Sequence, residues 1–305
     1  MQVFDRASKC AQRSRAALRS DSRDFDYLKV EVATRLADRV LDVKERRFER
    51  VLDIGAGCGA LLAPLQRTGR VRHITMVDMS RAALYRDAHL DPSGVDVTRI
   101  VHDEESVLPD ALMRAEQFDL VVSSLSLHWV NDLPGVFERV RYLLKPDGLF
   151  LAAMFGAESL FELRTSLLLA EQERHGGVGQ HISPYAGVGD IGNLLTRSEF
   201  ALPAVDTERI VVRFGSMFAL MRDLQGMGES NCVPRRMPSL PRQTLVAAAA
   251  IYDELFPAEP PPDAPEQTGV QASFNVVYAS AWSPGPGQQK PAKRGSQTRS
   301  FGELQ

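Results

Sequence analysis

The chain has 305 residues, 44% hydrophobic and 25% charged, with a formal net charge of −3. That is long enough for one α/β domain with an elaborated part, and too ordinary in composition for a disordered chain. No run of about 18 apolar residues occurs, which excludes a membrane-spanning helix, and the scattered Cys10, Cys58 and Cys232 fit neither a zinc spacing nor a disulfide framework, pointing to a reducing compartment.

Charge is concentrated at the ends. Residues 1–23 hold six Arg/Lys against Asp5 and Asp21, and residues 283–305 hold four against Glu303. The division expected is a basic arm over 1–24, a domain over 25–282 and a mobile basic tail over 283–305, the basic ends suiting a peripheral anionic membrane surface. Arginines outnumber lysines 30 to 6 but are spread along the chain, which argues against nucleic acid as a partner. Phe25, Leu28, Val32, Leu36 and Val40 recur at helical spacing, so 25–43 is expected as an amphipathic helix laid across a sheet.

Val51 to Gly59, VLDIGAGCG, follows. A short apolar run without alternation suits a strand covered on both faces, and Gly55, Gly57 and Gly59 allow positive φ and leave no Cβ above the turn. A helix-forming stretch from Ala60 completes a strand, glycine loop and helix, the nucleotide-binding corner of a doubly wound fold. Asp53 inside the strand end would repel a pyrophosphate but favours a cation. The pattern D-x-G-x-G-x-G resembles motif I of the class I methyltransferases, whose ligand, S-adenosylmethionine, carries a sulfonium and an amino group. A second apolar run ends at Asp78, about 20 residues beyond the glycine loop, where such folds hold ribose hydroxyls. Asp78 is therefore expected on the ribose, with Met79 beside it, or as an N-cap for the helix starting near Ser80.

A helix at 81–88 and a strand at 97–101 come next, with Asp103 or Glu104 at the strand's carboxyl end as candidates for the adenine amino group, Asp103 first. The fourth strand, 118–122, leads to Ser123 and Ser124, expected close to the cofactor, and to His128 and Asn131, polar side chains suited to acid–base or orienting work. His128 beside Trp129 is equally readable as a packing residue. A helix at 132–144, a turn at 145–148 and a strand at 149–153 follow; then helices at 158–174 and 190–197, a strand at 205–214, helices at 217–227 and 244–256, a proline-rich loop at 257–265 and a last strand at 274–279 beside the fifth and sixth. The fold expected is α/β, a doubly wound, Rossmann-like mixed sheet of seven strands with an added helical lid from an insertion at about 157–200 and helices at about 216–256.

Several longer segments are more discriminating than the glycine loop: 121–134 (VVSSLSLHWVNDLP), 144–148, 153–156, Leu163 with Arg164, His181 to Pro184, and 223–231 (DLQGMGESN). Together with Phe4 to Arg6 and 300–304, they resemble the family of mitochondrial complex I assembly factor 5 and its alphaproteobacterial relatives over essentially the whole chain. The resemblance implies a methyltransferase-like fold, S-adenosylmethionine as cofactor, and hydroxylation of an arginine on the quinone-proximal iron–sulfur subunit of respiratory complex I. The implied place is the matrix face of the inner membrane, or the cytoplasm for a bacterial relative; because the family's start matches Phe4 to Arg6, the Arg-rich stretch is expected to belong to the mature domain. Glu229, with His128 and Asn131, is a candidate catalytic residue, and Trp129, Asn131, Tyr185 and Glu229 are the set expected to meet a guanidinium. His128, His181 and Glu229 are a set that could converge; no metal is expected. The runner-up is an O-methyltransferase of the malonyl-acyl-carrier-protein type, for which Arg164 would receive the carboxylate, and a non-catalytic assembly chaperone is a third reading.

Overall fold

The first fifty residues already depart from an arm and a helix. In the computed structural model, which describes residues 2–43, 46–107, 109, 112, 114–177, 179–236, 239–260, 266, 268–288 and 295–296, residues Arg6–Ala17 form helix α1. Asp5 caps it by accepting from the Ser8 amide at 2.9 Å. Helix α2, Tyr27–Leu41, buries Leu28, Val32, Ala33, Leu36, Ala37 and Val40 along one stripe, and each such Leu or Val contributes about 1.5–3 kcal/mol.

The remaining elements alternate as expected. Strand β1 is Phe48–Ile54, α3 Leu62–Arg67, β2 Val71–Asp78, α4 Arg81–Arg86, β3 Asp96–Val101, β4 Phe118–Ser124, α5 Leu133–Leu143 and β5 Leu144–Phe155. Helices α6, Phe161–His175, and α7, Val188–Arg197, precede β6, Ala201–Phe214; α8, Met217–Met227, and α9, Arg242–Leu255, precede β7, Val270–Trp282.

These strands form one seven-stranded sheet in the order β3-β2-β1-β4-β5-β7-β6. The first five run parallel and β7 is antiparallel to both neighbours. Successive residues of β1 serve opposite faces: Val51 belongs to the core beneath α2, α6 and α8, and Leu52 to the core beneath α5 and α7. That explains a strand with no alternation in hydrophobicity, since both faces are covered. The order reverses between β1 and β4, so both carboxyl ends open on one crevice, the ligand position of such sheets.

Some boundaries moved. The turn expected at 145–148 is an irregularity inside β5, with Asp147 at φ 61° and the register against β4 shifting between Phe118 and Leu120. β7 is longer than its apolar run suggested because its pairing with β6 continues to Val270 opposite Phe214, and β6 starts earlier, at Ala201 opposite Trp282, across a register shift between Ala201 and Ala204. Of the proline-rich loop, 261–265 lie outside the described residues, and of the tail 283–305 the residues 289–294 and 297–305 do. Ser283 and Gly287 donate from their amides to the Gly148 carbonyl and Asp147 Oδ2, fastening the described start of that tail beside β5. Among the described residues no helix is long and apolar enough to cross a membrane.

Candidate functional site

At the end of β1, Gly55, Gly57 and Gly59 all take positive φ, 68°, 55° and 81°. A Cβ on Gly55 would lie 2.1 Å from Ser126 Oγ, so backbone and loop are packed as closely as glycine permits; a Cβ on Gly57 would project into open space. The Gly57 amide donates to Asp78 Oδ2 at 2.9 Å and the Ser80 amide to Oδ1 at 2.7 Å. Ser80, through its own hydroxyl, caps α4. Asp78 is therefore free of the capping duty and stands buried between the glycine turn and β2.

Three further acids surround the corner. Asp53 is buried, Oδ1 has no partner among the described residues, and burial together with nearby Asp78 pushes its carboxyl up to about 8. Glu104, 2% exposed, accepts from Ser126 Oγ at 3.1 Å and pairs with Arg6 at 2.9 Å, while its Oε2 is buried without a partner. Asp103 is turned outward: its side chain is 32% exposed and is engaged by Arg6 at 2.6 Å. Of the two candidates for the adenine amino group, the chain leaving β3 turns Asp103 outward and aims Glu104 at the glycine turn, its Oε1 3.5 Å from where a Cβ on Gly55 would sit. Of Ser123 and Ser124, both expected close to the cofactor, Ser124 lines the cavity beside Leu125, while the Ser123 hydroxyl is spent on the Ile54 carbonyl at 2.7 Å, tying β4 to β1. Met79 contributes its carbonyl, which accepts from Cys10 Sγ at 3.4 Å.

Helix α1 lies over this corner, which the reading of 1–24 as a basic surface arm did not anticipate. Arg6 meets Asp103, Glu104 and Glu105. Lys9 is fully buried, donates to the Gly228 and Ser230 carbonyls at 3.1 and 2.8 Å, and sits 3.4 Å over the Trp129 ring. Burial lowers its ammonium to about 8, opposed by Glu229. Arg13 donates to Ser126 Oγ at 3.0 Å and to the Leu125 carbonyl at 3.1 Å, with Asp78 and Glu229 at 3.7 and 3.9 Å. The spacing Arg6, Lys9, Arg13 is one helical face; what it needed in order to be interpreted was the buried acids opposite, which lie far along the chain.

Beyond α1 lies an aromatic cluster. Glu229 Oε2 accepts from Trp129 Nε1 at 2.6 Å and lies 3.5 Å from His128 Nε2, and the Phe155 amide donates to His128 Nδ1 at 3.4 Å. The ring therefore carries its proton on Nε2 and is neutral, in keeping with burial, which lowers its pKa. For Glu229, burial opposes ionisation, but Lys9, the His128 hydrogen bond and Arg13 outweigh it and hold the carboxyl down at about 2. Oε1 takes no hydrogen bond from the described residues. Asn131 is elsewhere: its Oδ1 accepts from the Val3 and Phe4 amides at 2.7 Å each, and the structure places it as the latch of the N-terminal segment rather than beside Glu229.

Two cavities meet at this point. One of about 50 Å³, at the glycine corner, is bounded by Arg13, Asp53, Gly57, Leu125 and Glu229. The other, of about 760 Å³, is walled by α1, α6, α8 and the 180–185 segment, with Leu163, Leu167, Tyr185, Leu224 and Glu229 in its lining. Of the four residues expected to meet a guanidinium, Tyr185 and Glu229 line the larger cavity; Trp129 is fully buried behind Lys9 and Asn131 is at the latch. His181 does not converge with His128 and Glu229, being paired with Glu171 at 2.6 Å. Arg164 has Nε and Nη2 buried without partners. Among the described residues the group with metal-like spacing is Asp26, Cys58 and Asp87, and Arg86 already neutralises both acids.

Comparison with known proteins follows the same division. A methyltransferase-domain family model matches residues 26–204. The mouse protein named arginine-hydroxylase NDUFAF5, mitochondrial, is 46% identical over 304 residues, covering 100% of this chain and 84% of the relative. A malonyl-[acyl-carrier protein] O-methyltransferase of Halorhodospira halophila is 30% identical over 290 residues, covering 95% and 92%. A solved methyltransferase structure from Bacillus halodurans superposes with a TM-score of 0.54 at 14% identity, over 82% of this chain and 98% of that one, a likeness of fold.

Proposed function

The chain belongs to the arginine-hydroxylase NDUFAF5 family within the methyltransferase-domain proteins, and on that premise we propose that it binds S-adenosylmethionine at the glycine corner and acts on an arginine side chain admitted through the larger cavity. The observation that carries the substrate half is Glu229, an ionised carboxylate at the junction of the two cavities with Oε1 unengaged. A guanidinium brought out of water needs such a partner, and Tyr185 adds an aromatic wall.

The corner fits the cofactor's charges. Asp53 and Glu104 each present a buried oxygen with no hydrogen-bond partner among the described residues; Glu104 would be satisfied by a cationic ligand, and a cation beside Asp53 would favour the ionised form that burial now disfavours. Gly55, Gly57 and Gly59 let the backbone approach, Asp78 offers carboxylate oxygens to ribose hydroxyls, and Glu104 is placed for an amino group. When bound, the cofactor supplies a sulfonium cation and a transferable methyl group. The chain's own part is to hold the guanidinium on Glu229, fix that carboxylate through Trp129 and His128, and exclude water beneath α1.

The place follows the family: assembly of respiratory complex I on the matrix side of the mitochondrial inner membrane, or the equivalent bacterial face, with the quinone-proximal iron–sulfur subunit as substrate. Arg6, Lys9 and Arg13 face inward, so peripheral contact with anionic lipid would fall to the exposed Arg15, Arg19 and Arg23 and to the basic residues after 288. Binding to anionic vesicles should weaken as salt rises; absent or salt-independent binding removes the lipid surface from this reading.

Inserting an oxygen into a C–H bond takes a two-electron oxidant that neither these side chains nor S-adenosylmethionine supplies, so an arginine-containing segment of that subunit is incubated with dioxygen and an electron donor present, the second oxygen atom leaving as water, and mass analysis reads the product. A gain of one oxygen at arginine is expected; a gain of one methylene on a carboxyl would favour the malonyl reading. That second reading would draw on Arg164, whose buried Nε and Nη2 have no hydrogen-bond partner among the described residues, although Arg164 is not in the lining of either cavity. Against it stands Glu229, which would repel a carboxylate.

A further inference from the structure

The cavity at the glycine corner has Asp53 at one end of its lining and Glu229 at the junction with the larger cavity. Asp78 is bonded to the Gly57 amide, and Glu104 Oε1 stands 3.5 Å from where a Cβ on Gly55 would sit. A zwitterionic amino-acid nucleoside brings a sulfonium, an ammonium and ribose hydroxyls to this corner, but its carboxylate would be left near these acids, and a buried carboxylate without a cation is costly. The structure must therefore supply one positive group.

Three basic side chains line that cavity: Arg13, Lys29 and Arg86. Arg86 is committed to Asp26 and Asp87. Lys29 is held by the Met227 carbonyl at 2.9 Å, with Asp26 at 3.9 Å. Arg13 differs from Arg86 in its partners and from Lys29 in its burial: its hydrogen bonds go to a neutral hydroxyl and a neutral carbonyl, its nearest carboxylates stand at 3.7 and 3.9 Å, and its side chain is 8% exposed against 26% for Lys29. Charge-assisted guanidinium–carboxylate bonds are shorter, about 2.7–2.9 Å, and a planar fork prefers two of them. Arg13 is a buried cation held by weak acceptors in the wall of the cavity at the glycine corner.

We propose that Arg13 binds the carboxylate of the cofactor, so that α1 is part of the cofactor site and closes on it. The fork would exchange Ser126 Oγ and the Leu125 carbonyl for the ligand's two carboxylate oxygens. Seating the ligand also requires α1 to shift, because a cavity of about 50 Å³ is far below the roughly 300 Å³ of ordinary ligand sites. The inference rests on the S-adenosylmethionine reading, and the experiment separates the two.

Calorimetric titration of the full chain with S-adenosylmethionine and with its decarboxylated form, which keeps the sulfonium, amine and adenosine, reads the contact directly. For Arg13→Met the expected result is a loss of about 10- to 100-fold in affinity for the first ligand and less than about 3-fold for the second, the range for losing charge-assisted bonds. Equal losses for both ligands would make Arg13 a structural counter-ion and overturn the proposal. No binding of either ligand to the unsubstituted chain would overturn the cofactor reading and this one with it. Should Arg13→Met fail to fold, Arg13→Lys keeps the charge without the fork. A smaller loss confined to the carboxylate-bearing ligand supports the proposal, and a loss shared by both refutes it.

Discussion

Asp53 is the residue at which charge and burial conflict most openly. Its carboxyl is pushed from an ordinary 3.8 up to about 8, first by burial and then by Asp78. Between about pH 4 and 8 the folded chain therefore keeps a proton that the unfolded chain has released. The stability this gives is complete at the acid end and lost as pH rises through about 8, at up to about 1.4 kcal/mol per pH unit. Asp53→Asn should lack that dependence, so urea midpoints of variant and parent should diverge between pH 6 and 8 in favour of the variant; parallel curves would show that Asp53 is already ionised. Glu229 is the opposite case, held ionised by two cations and a histidine. Glu229→Gln is expected to raise the KM for an arginine peptide by about 10-fold or more, the scale of one charged hydrogen bond, with cofactor affinity within a factor of about 3. Arg164→Ala should disturb an acidic substrate only. Reversal of that pattern between the two substrates would favour the malonyl reading.

At the scale of elements, two units make the site. The glycine turn holds its shape because residues at 55, 57 and 59 occupy the left-handed region, and the Gly57 amide is bonded to Asp78. A side chain at position 57 meets no protein atom but fills the crevice, so Gly57→Arg should abolish S-adenosylmethionine binding while the chain still folds. Calorimetric binding equal to the parent's would place the cofactor elsewhere. Helix α1 is the second unit, joined to the body by ion pairs, by Lys9 over Trp129 and by Asn131 gripping the Val3 and Phe4 amides. Asn131→Ala removes the grip and should cost about 1–3 kcal/mol locally. Limited proteolysis should then cut within residues 1–20 sooner than in the parent, and an unchanged pattern would show that the latch is dispensable.

For the whole molecule, the site is a closure between α1 and the sheet rather than an open cleft. A ligand that bridges them binds the folded chain alone, so saturating cofactor at about 100 times its Kd should add about 2.7 kcal/mol to unfolding stability. A thermal shift that grows with ligand concentration and shrinks in Arg13→Met is expected. The proposed arginine substrate would enter through the larger cavity, and Glu229 is where that cavity and the glycine corner touch.

The alternation of apolar runs with helical stripes determined the seven-stranded fold, because both periodicities are local and repeat within ten residues. The glycine spacing determined the corner, since positive φ at alternate residues is a backbone demand that few other side chains meet. Asp53 and Asp78 followed from their position at strand ends. What only the tertiary structure decided was which charges meet. Arg6, Lys9 and Arg13 look like a solvated arm until Glu104, Asp78 and Glu229 are brought opposite, over separations of 65 to 220 residues. Asp103 and Glu104 are equivalent in sequence and differ by which way one residue turns at the end of β3. Burial and electrostatic partnership are properties of packed surfaces, and no local pattern along the chain encodes them.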